Sequence, residues 1–298
     1  MVKHLISLKN ISKQDIVDLI ILARRIKKNS KNYENYLNNK VLLMLFAKPS
    51  LRTHISFDVA MYKLGGHAIF YDIANSPLGK KESIKDFAKV SSRYVDAIMA
   101  RLFEHSDVQE LSRWSDVPII NGLDNDEHPC QILGDFLTIY EKKKNFSKTK
   151  IAYIGDCNNN VTHSLIIGCN KVGMKIIISG PNKKEFLPNK SVIGNALYIY
   201  EENPMKAVKD CDIIYTDSWM SYHIPESQKA RRVNILKGYQ VNQKLFSINK
   251  KALFMHCLPA ARGLEVTDDV IDSKRSIVYD QAENRLWIQA AILLRLLK

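Results

Sequence analysis

Two kinds of segment alternate along the chain: short apolar runs, and longer stretches whose apolar residues recur at helical spacing. The clearest helical stretch follows Ser12, which forms a capping box with Asp15 and precedes Ile16, Leu19 and Ile20 on one face. The first half then carries four strand-like runs separated by helical stretches, at residues 41–47, 68–71, 97–100 and 118–120. Because strands alternate with helical crossovers, the pattern predicts a parallel sheet.

A second alternating set follows a long helix that is predicted over residues 129–143, with Pro129 at its start. Its strand-like runs lie at residues 151–154, 175–179, 197–200, 212–216, 252–256 and 276–279. The pattern predicts an α/β protein with two domains, each a parallel sheet flanked by helices and joined by connecting helices. We expect the domains to span residues 1–140 and 150–280, with the C-terminal helix 281–298 packing back on the first.

Length and composition agree with two globular domains. The chain has 298 residues, which is longer than a chain that folds around a single hydrophobic core usually is. Of these residues, 46% are hydrophobic. The longest strand-like run, residues 41–47, is far too short to span a membrane, and the N-terminus lacks the apolar core of a signal peptide. We therefore expect a cytoplasmic protein without a membrane partner.

The net charge of +13 admits a nucleic-acid partner, an anionic small substrate or simply a lysine-rich surface. The lysines are scattered, and their one dense run, at residues 142–150, joins a helical to a strand-like stretch. This distribution is typical of a solvated surface, so no nucleic-acid partner is predicted.

The five cysteines have no C-x-x-C spacing, which argues against a zinc knuckle or a thioredoxin-type motif. We interpret Cys130, Cys157, Cys169 and Cys211 as small buried hydrophobes in a reducing compartment. Cys257 differs because it follows His256 and precedes Leu258-Pro259, directly after an apolar run. No metal site is predicted.

In parallel α/β sheets, ligands bind at the carboxyl ends of strands, so the residues after each apolar run carry the chemistry. The first run leads through Ser50, Arg52 and Thr53 into a helix. A helix N-terminus with hydroxyls and a guanidinium suits an anion, although a plain N-cap at Ser50 or Thr53 fits the pattern equally well. Arg101 ends another run, and His128 and Gln131 follow the next.

The strand ends of the second half are lined by amide, carboxylate and hydroxyl groups. Asn159 follows the first run, while Asp217 and Ser221 follow another. Such groups suit an amino acid, with Asp217 facing an ammonium group. The two halves of the chain thus predict an anion site and a site for a zwitterion.

These stretches resemble the ornithine carbamoyltransferases over nearly the whole chain and in the family's order. The segments that carry the resemblance are FAKPSLRTHISFDVA (46–60), MAR (99–101), NGLDNDEHPCQILGDFLTI (121–139), GDCNNNVTHS (155–164), DSWMS (217–221), HCLPA (256–260) and DQAENR (280–285). The combination of HCLPA with D-x-W-x-S is specific to the ornithine branch, whereas aspartate carbamoyltransferases share the phosphate motif but lack this cysteine.

The resemblance implies transfer of a carbamoyl group from carbamoyl phosphate to the δ-amine of L-ornithine, without a cofactor. Residues 1–140 would bind carbamoyl phosphate and residues 150–280 would bind ornithine. It further implies a homo-oligomer, a trimer or an assembly of trimers.

The resemblance also implies roles for individual residues. The positions expected to bind carbamoyl phosphate are Ser50, Leu51, Arg52, Thr53, Arg101, His128, Gln131, Cys257, Leu258 and Arg285. Those expected to bind ornithine are Asn159, Asp217, Ser221 and Tyr222, and those expected to take part in catalysis are Arg101, His128, Cys257 and Arg285.

Four positions depart from the family's usual pattern. The phosphate motif S-T-R-T-R has Leu51 and His54 here, Pro77 precedes the Leu-Gly of a loop that reaches a neighbouring subunit, and Tyr222 stands in the usual S-M-G. Two alternatives stay open: Cys257 as a covalent nucleophile, and another amine such as putrescine as acceptor. A dinucleotide-dependent dehydrogenase is disfavoured, since no G-x-G-x-x-G follows a strand.

Overall fold

A computed structural model describes residues 3–73, 82–220 and 224–298 of the chain. Contacts between Cα atoms divide the chain into two compact units. The first unit consists of Met1–Leu137 with Glu283–Lys298, and the second of Thr138–Ala282.

The first unit is built on a four-stranded parallel sheet in the order β2-β1-β3-β4. Its strands are β1 (Val41–Phe46), β2 (His67–Asp72), β3 (Ala97–Arg101) and β4 (Ile119–Leu123). Its helices are α1 (Lys13–Lys28), α2 (Leu51–Lys63), α3 (Ile84–Ser91) and α4 (His105–Trp114), followed by α5 (Pro129–Lys143), which continues into the second unit.

Local sequence accounts for much of this unit. The capping box predicted at Ser12 begins α1, and Pro129 begins α5. β3, which lies between β1 and β4, is buried along its whole length, as expected for a central strand covered on both faces. β4 is the last strand of the sheet and is buried as well, and Leu5 bridges to it at Ile120. β2, at the edge of the sheet, exposes five of its six residues.

The second unit contains a five-stranded parallel sheet in the order β7-β6-β5-β8-β9. Its strands are β5 (Lys150–Ile154), β6 (Lys175–Ser179), β7 (Ile199–Tyr200), β8 (Ile213–Thr216) and β9 (Leu253–His256). The longer helices are α6 (Asn160–Val172), α9 (Lys229–Leu236) and α12 (Val278–Leu297), and the last of these continues into the first unit.

Short helical turns complete the chain. Single α-helical turns are α7 (Lys190–Ile193), α8 (Pro204–Ala207), α10 (Gln243–Phe246) and α11 (Asp268–Ile271). The 3₁₀ turns are Leu8–Asn10, Ser30–Tyr33, Lys184–Phe186, Glu226–Gln228 and Lys237–Tyr239.

The predicted α/β class with two parallel sheets is confirmed, but one predicted strand is wrong. Residues 276–279 do not form a strand, because only Ser276 bridges to Phe254 and α12 begins at Val278. A short apolar run cannot be assigned to a strand or to a buried helix start by periodicity alone. Within residues 197–200, only Ile199–Tyr200 is a strand.

The predicted burial of Cys130, Cys157, Cys169 and Cys211 is confirmed, and all are free thiols. Within the three described segments, no helix combines the length and the apolar character that a bilayer crossing requires.

Candidate active site

The turn between β1 and α2 presents a helix N-terminus with polar side chains. Ser50 is its N-cap, and its Oγ accepts from the Thr53 backbone N–H at 3.3 Å and donates to Thr53 Oγ1 at 3.1 Å. Leu51 is the first helical residue and is 71% exposed. Because α2 is 13 residues long, its unpaired N–H groups and dipole favour an anion at this end.

Arg285 connects this turn with the start of α5. Its Nη1 donates to Gln131 Oε1 at 2.5 Å and its Nη2 donates to Thr53 Oγ1 at 3.2 Å. The guanidinium is buried, and Gln131 is fixed further by donating from Nε2 to Asp135 Oδ1 at 2.8 Å. Three predicted residues from distant parts of the chain therefore form one hydrogen-bonded set.

Arg101 and Lys48 place two more cations beside the turn. Arg101 Nε donates to the Lys48 carbonyl oxygen at 3.2 Å, and Lys48 Nζ donates to Asn125 Oδ1 at 2.5 Å and lies 4.5 Å from the ring centre of Phe103. Burial, and then the charge of Arg101, lower the pKa of Lys48 to about 8. The sequence analysis does not assign Lys48 to the site, although its position in the turn after β1 indicates that it lies near the other predicted residues.

The loop before His128 is organised by the buried carboxylate of Asp124. Its Oδ1 accepts from the backbone N–H groups of Asp126 and Glu127 at 2.8 and 2.7 Å. Its Oδ2 accepts from Asn121 Nδ2 at 2.7 Å and lies 2.7 Å from His105 Nδ1. These contacts fix the backbone that leads into α5 and hence the position of His128.

His128 is buried among cationic groups. Burial, followed by the charges of Arg285, Arg101 and Lys48, holds the pKa of His128 well below its usual range. The imidazole is therefore neutral at pH 7 and can donate one N–H to an oxygen without adding a net charge.

Asn159 caps α6 in the second unit and is saturated by internal contacts. Its Oδ1 accepts from the Thr162 N–H at 2.8 Å and from Thr162 Oγ1 at 3.1 Å. Its Nδ2 donates to the Tyr153 hydroxyl at 2.9 Å and to the Asp156 carbonyl at 2.8 Å. A ligand would have to displace one of these partners, so its binding role remains a prediction.

Tyr153 lies next to this amide and was not predicted. Burial, and then the negative charge of Asp217, raise the pKa of Tyr153 well above its usual value. The phenol is thus a neutral hydrogen-bonding group. No sequence signal distinguished it from other apolar-run residues, because it lies inside β5.

Asp217 and Cys257 meet at the ends of β8 and β9. Cys257 Sγ donates to Asp217 Oδ1 at 2.9 Å, which joins a thiol to a carboxylate 40 positions earlier. Reactive thiolates lie in electropositive surroundings, whereas this sulfur faces a carboxylate. This geometry suits a positioning role for Cys257 better than the role of a thiolate nucleophile.

His256 orients the backbone that follows Cys257. Its Nδ1 accepts from the Leu258 N–H at 2.9 Å, so a neutral ring carries its proton on Nε2, which faces Glu265 Oε1 at 3.3 Å. Leu258 has a φ of 58°, in the left-handed region, and the same Glu265 oxygen accepts from the Ala261 N–H at 2.5 Å. The buried pair therefore holds a strained turn in place.

Among the described residues, one group of side chains has the spacing of metal ligands. Ligand atoms of Asp217, His256 and Cys257 lie within 4.8 Å of one another, and such oxygen, nitrogen and sulfur donors suit zinc. Both ring nitrogens of His256, however, face partners in the protein. The group fits a metal poorly, and the expectation of no metal remains a prediction.

A buried ion pair links two of these strand ends. Arg232 pairs through Nη2 with Asp156 Oδ2, donates from Nε to the Trp219 carbonyl at 3.2 Å, and lies over the Phe186 ring. Burial raises the pKa of Asp156 to about 7. Arg232 thus fastens the segment after β8, which carries Asp217, to the segment after β5.

Of the remaining predicted residues, only Arg52 lies in the part of the chain that the structure describes. Arg52 is half-buried in the first turn of α2. Ser221, Tyr222 and Pro77 lie outside the described residues.

Two family models match the chain. Residues 3–141 match "Aspartate/ornithine carbamoyltransferase, carbamoyl-P binding domain", and residues 147–296 match "Aspartate/ornithine carbamoyltransferase, Asp/Orn binding domain". Together they span nearly the whole chain.

Individual relatives agree with these models. The chain is 45% identical to an ornithine carbamoyltransferase of Archaeoglobus fulgidus, with 99% of this chain and 97% of the relative covered. It superposes on the solved ornithine carbamoyltransferase of Pyrococcus furiosus with a TM-score of 0.91 at 43% identity, covering 97% and 95% of the two chains. The Giardia lamblia enzyme gives 0.90 at 37% identity, covering 99% and 98%.

Proposed function

The chain belongs to the aspartate/ornithine carbamoyltransferase family, and from this premise we propose that it transfers the carbamoyl group of carbamoyl phosphate to the δ-amine of L-ornithine. The products are L-citrulline and phosphate. The reaction serves arginine biosynthesis or, in the opposite direction, arginine catabolism.

The contact between Cys257 and Asp217 is the observation that supports ornithine as the acceptor. The cysteine belongs to HCLPA and the aspartate to D-x-W-x-S, the two segments specific to the ornithine branch. Their side chains meet at 2.9 Å. This contact supports a single amine-recognition group built from both segments, and it disfavours aspartate as the acceptor.

The first unit holds carbamoyl phosphate in this proposal. Ser50, Leu51, Arg52 and Thr53 bind the phosphate through the first turn of α2, where N–H groups and a guanidinium favour an anion. Arg101 bridges the phosphate and the carbamoyl oxygen. The buried cations around the turn support this assignment.

The remaining groups of the first unit address the carbamoyl moiety. Neutral His128 donates to the carbamoyl oxygen, Gln131 accepts from the carbamoyl amide, and Arg285 fixes both Gln131 and Thr53. A preorganised donor at an oxygen that gains negative charge usually contributes ~3–4 kcal/mol to catalysis. We therefore name Arg101, His128, Cys257 and Arg285 as the catalytic set.

The second unit holds ornithine. Asn159, Asp217, Ser221 and Tyr222 bind the amino-acid head, and Cys257 with Leu258 borders the reacting amine and the carbamoyl group. We propose that residues 1–140 with 281–298 form the carbamoyl-phosphate domain and residues 150–280 the ornithine domain. The two compact units and the extents of the family models support these limits.

The chemistry needs little beyond positioning and charge. The neutral δ-amine attacks the carbonyl carbon, the C–O bond to phosphate breaks, and the departing phosphate accepts the amine proton. Holding two substrates in attacking geometry can supply ~7–11 kcal/mol of the barrier. No step requires a cofactor.

The direct test is product formation with three acceptors. With carbamoyl phosphate present, L-ornithine should give citrulline, while L-aspartate and putrescine should give little product. Arg101→Gln should lower turnover by roughly 10²–10³-fold, the loss expected for one donor to an oxyanion. Arg113→Gln, an exposed arginine on α4, is the matched control and should retain full activity.

Each contrary result has a distinct meaning. Carbamoyl-putrescine without citrulline would show that the acceptor is wrong. No carbamoylated product from any amine would overturn the reaction class.

We further propose that the protein works as a homo-oligomer, a trimer or an assembly of trimers, in the cytoplasm. On edge strand β2, the side chains of Ile69, Phe70 and Tyr71 are 40–45% exposed. An exposed hydrophobic strand edge of this kind is typical of a surface that packs against another protein chain. Five free cysteines support a reducing compartment.

Light scattering after size exclusion tests the assembly. The wild-type protein should have the mass of a trimer or a multiple of it, and Ile69→Lys should shift it toward the monomer. A monomeric wild-type protein would contradict the proposal.

A further inference from the structure

His54 is the residue of the phosphate turn whose contribution the proposed function does not explain. It follows Thr53 directly in α2, where the family motif ends in arginine. Its backbone N–H donates to the Ser50 carbonyl oxygen at 3.1 Å, which closes the first turn of the helix. The residue is half-buried.

The His54 ring is packed in an aromatic group with two phenylalanines. It stacks on Phe70, with ring centres 4.3 Å apart and planes 22° from parallel, and its centre lies 6.0 Å from that of Phe46. The two phenylalanine rings are 5.0 Å apart. Each residue comes from a different element: His54 from α2, Phe46 from β1 and Phe70 from β2.

This aromatic group borders the anion site. Phe46 is the last residue of β1 and is the register partner of Arg101 in β3. The next backbone N–H, that of Ala47, donates to the Arg101 carbonyl oxygen at 2.9 Å. His54 thus belongs to the helix turn that begins at Ser50, and Phe46 belongs to the strand end that pairs with Arg101.

We propose that His54 is a positioning residue for the phosphate of carbamoyl phosphate, acting through ring packing. The stack on Phe70 and Phe46 fixes the first turn of α2 against the sheet, so that its N–H groups are held for the phosphate before it arrives. Preorganised groups bind more tightly, because ordering them no longer opposes binding. This inference rests on the proposed function, since it assigns a role within the same site.

Three substitutions separate ring packing from the polar character of the imidazole. His54→Phe keeps a flat ring and removes the nitrogens, His54→Gln keeps polar atoms and removes the ring, and His54→Ala removes both. The readout is the Kd of inorganic phosphate by calorimetry, together with the KM values for both substrates. We expect His54→Ala and His54→Gln to bind phosphate about tenfold more weakly, as for a lost aromatic pair, and His54→Phe to stay close to wild type.

A merely structural role would alter every parameter together. Positioning of the phosphate should change the phosphate Kd and the KM for carbamoyl phosphate, while the KM for ornithine stays constant. Tyr62→Ala is the matched control, because it removes an aromatic ring from the same helix where that ring is 80% exposed. Thermal melting and light scattering of each variant ensure that folded proteins of equal assembly are compared.

The double substitution with Phe70→Ala completes the test. If the two rings act as one unit, His54→Ala should weaken phosphate binding far less in the Phe70→Ala background than in wild type. Additive effects, normal binding by His54→Ala, or recovery by glutamine but not phenylalanine would each overturn this inference alone. A wild-type protein that binds no phosphate and forms no citrulline would overturn the proposed function as well.

Discussion

Lys48 shows how burial changes the chemistry of a single residue. Its ammonium group is buried beside Arg101 and its direct partner is the neutral amide of Asn125. Burial and the neighbouring cation lower its pKa to about 8, so the charged form prevails below that pH and is lost above it. The positive potential at the anion site therefore depends on pH.

We predict that phosphate binding weakens as the pH rises through about 8. Between pH 7.5 and 9.5 the Kd of inorganic phosphate should increase about tenfold, because a titrated lysine no longer attracts the anion. Calorimetry across this range measures the effect. Lys48→Arg should flatten the profile, since guanidinium stays charged. A flat wild-type profile, or the same decline in Lys48→Arg, would contradict the prediction.

Cys257 is a second residue whose role depends on its partner. Its thiol donates to one oxygen of Asp217, and in the proposed function this carboxylate binds an amine of ornithine. This geometry favours positioning over covalent catalysis, the alternative that the sequence left open.

Two substitutions at Cys257 test the assignment. Cys257→Ser keeps a donor for Asp217 and should raise the KM for ornithine only modestly. Cys257→Ala leaves the carboxylate without this donor and should cost ~1–3 kcal/mol in kcat/KM for ornithine, about 10- to 100-fold. Mass spectrometry of the wild-type protein with carbamoyl phosphate alone should show no adduct. A carbamoyl-enzyme under these conditions would establish the nucleophile instead.

At the scale of elements, α2 combines two functions at one end. Ser50 caps the helix, and the same helix end is the proposed phosphate site. A plain N-cap and an anion site predict different responses to charge, because aspartate is a good cap but repels an anion.

Ser50→Asp and Ser50→Ala separate these functions. Ser50→Ala should lower the free energy of unfolding by about 1 kcal/mol, as loss of a cap usually does. Ser50→Asp should keep the wild-type stability and yet lose phosphate binding almost completely. Urea unfolding and calorimetry measure the two quantities. Normal phosphate affinity in Ser50→Asp would mean that Ser50 is only a cap.

At the scale of the whole molecule, the charge of +13 needs an explanation. The first unit directs several cations, among them Lys48, Arg101 and Arg285, into its interior near one turn. Buried cations at one site suit a small anion better than a nucleic-acid backbone, which requires an extended basic surface.

We predict that a small phosphate ligand stabilises the protein and that duplex DNA does not. Carbamoyl phosphate at 100 times its Kd should add about 2.7 kcal/mol to the free energy of unfolding and raise the melting temperature by several degrees. Duplex DNA at an equal phosphate concentration in 150 mM salt should give no shift. Potassium chloride of matched ionic strength is the control. A larger shift with DNA than with carbamoyl phosphate would favour the nucleic-acid alternative.

The sequence by itself determined the features that depend on neighbouring residues. The capping box at Ser12, the alternation of strands and helices, and the polar groups after the strands all follow from contacts within a few positions. The same local character explains the mistaken strand at residues 276–279, where a short apolar run begins a buried helix.

Only the tertiary structure decided which of these groups act together. Arg285 meets Thr53 across 232 positions and Gln131 across 154, and Lys48 meets Asn125 across 77. These contacts depend on strand order and helix packing, which periodicity does not encode, and burial then sets the pKa of Lys48 and His128. Local pattern fixes the elements and their chemistry, whereas long-range packing fixes the distances between side chains and thereby the composition of each binding site.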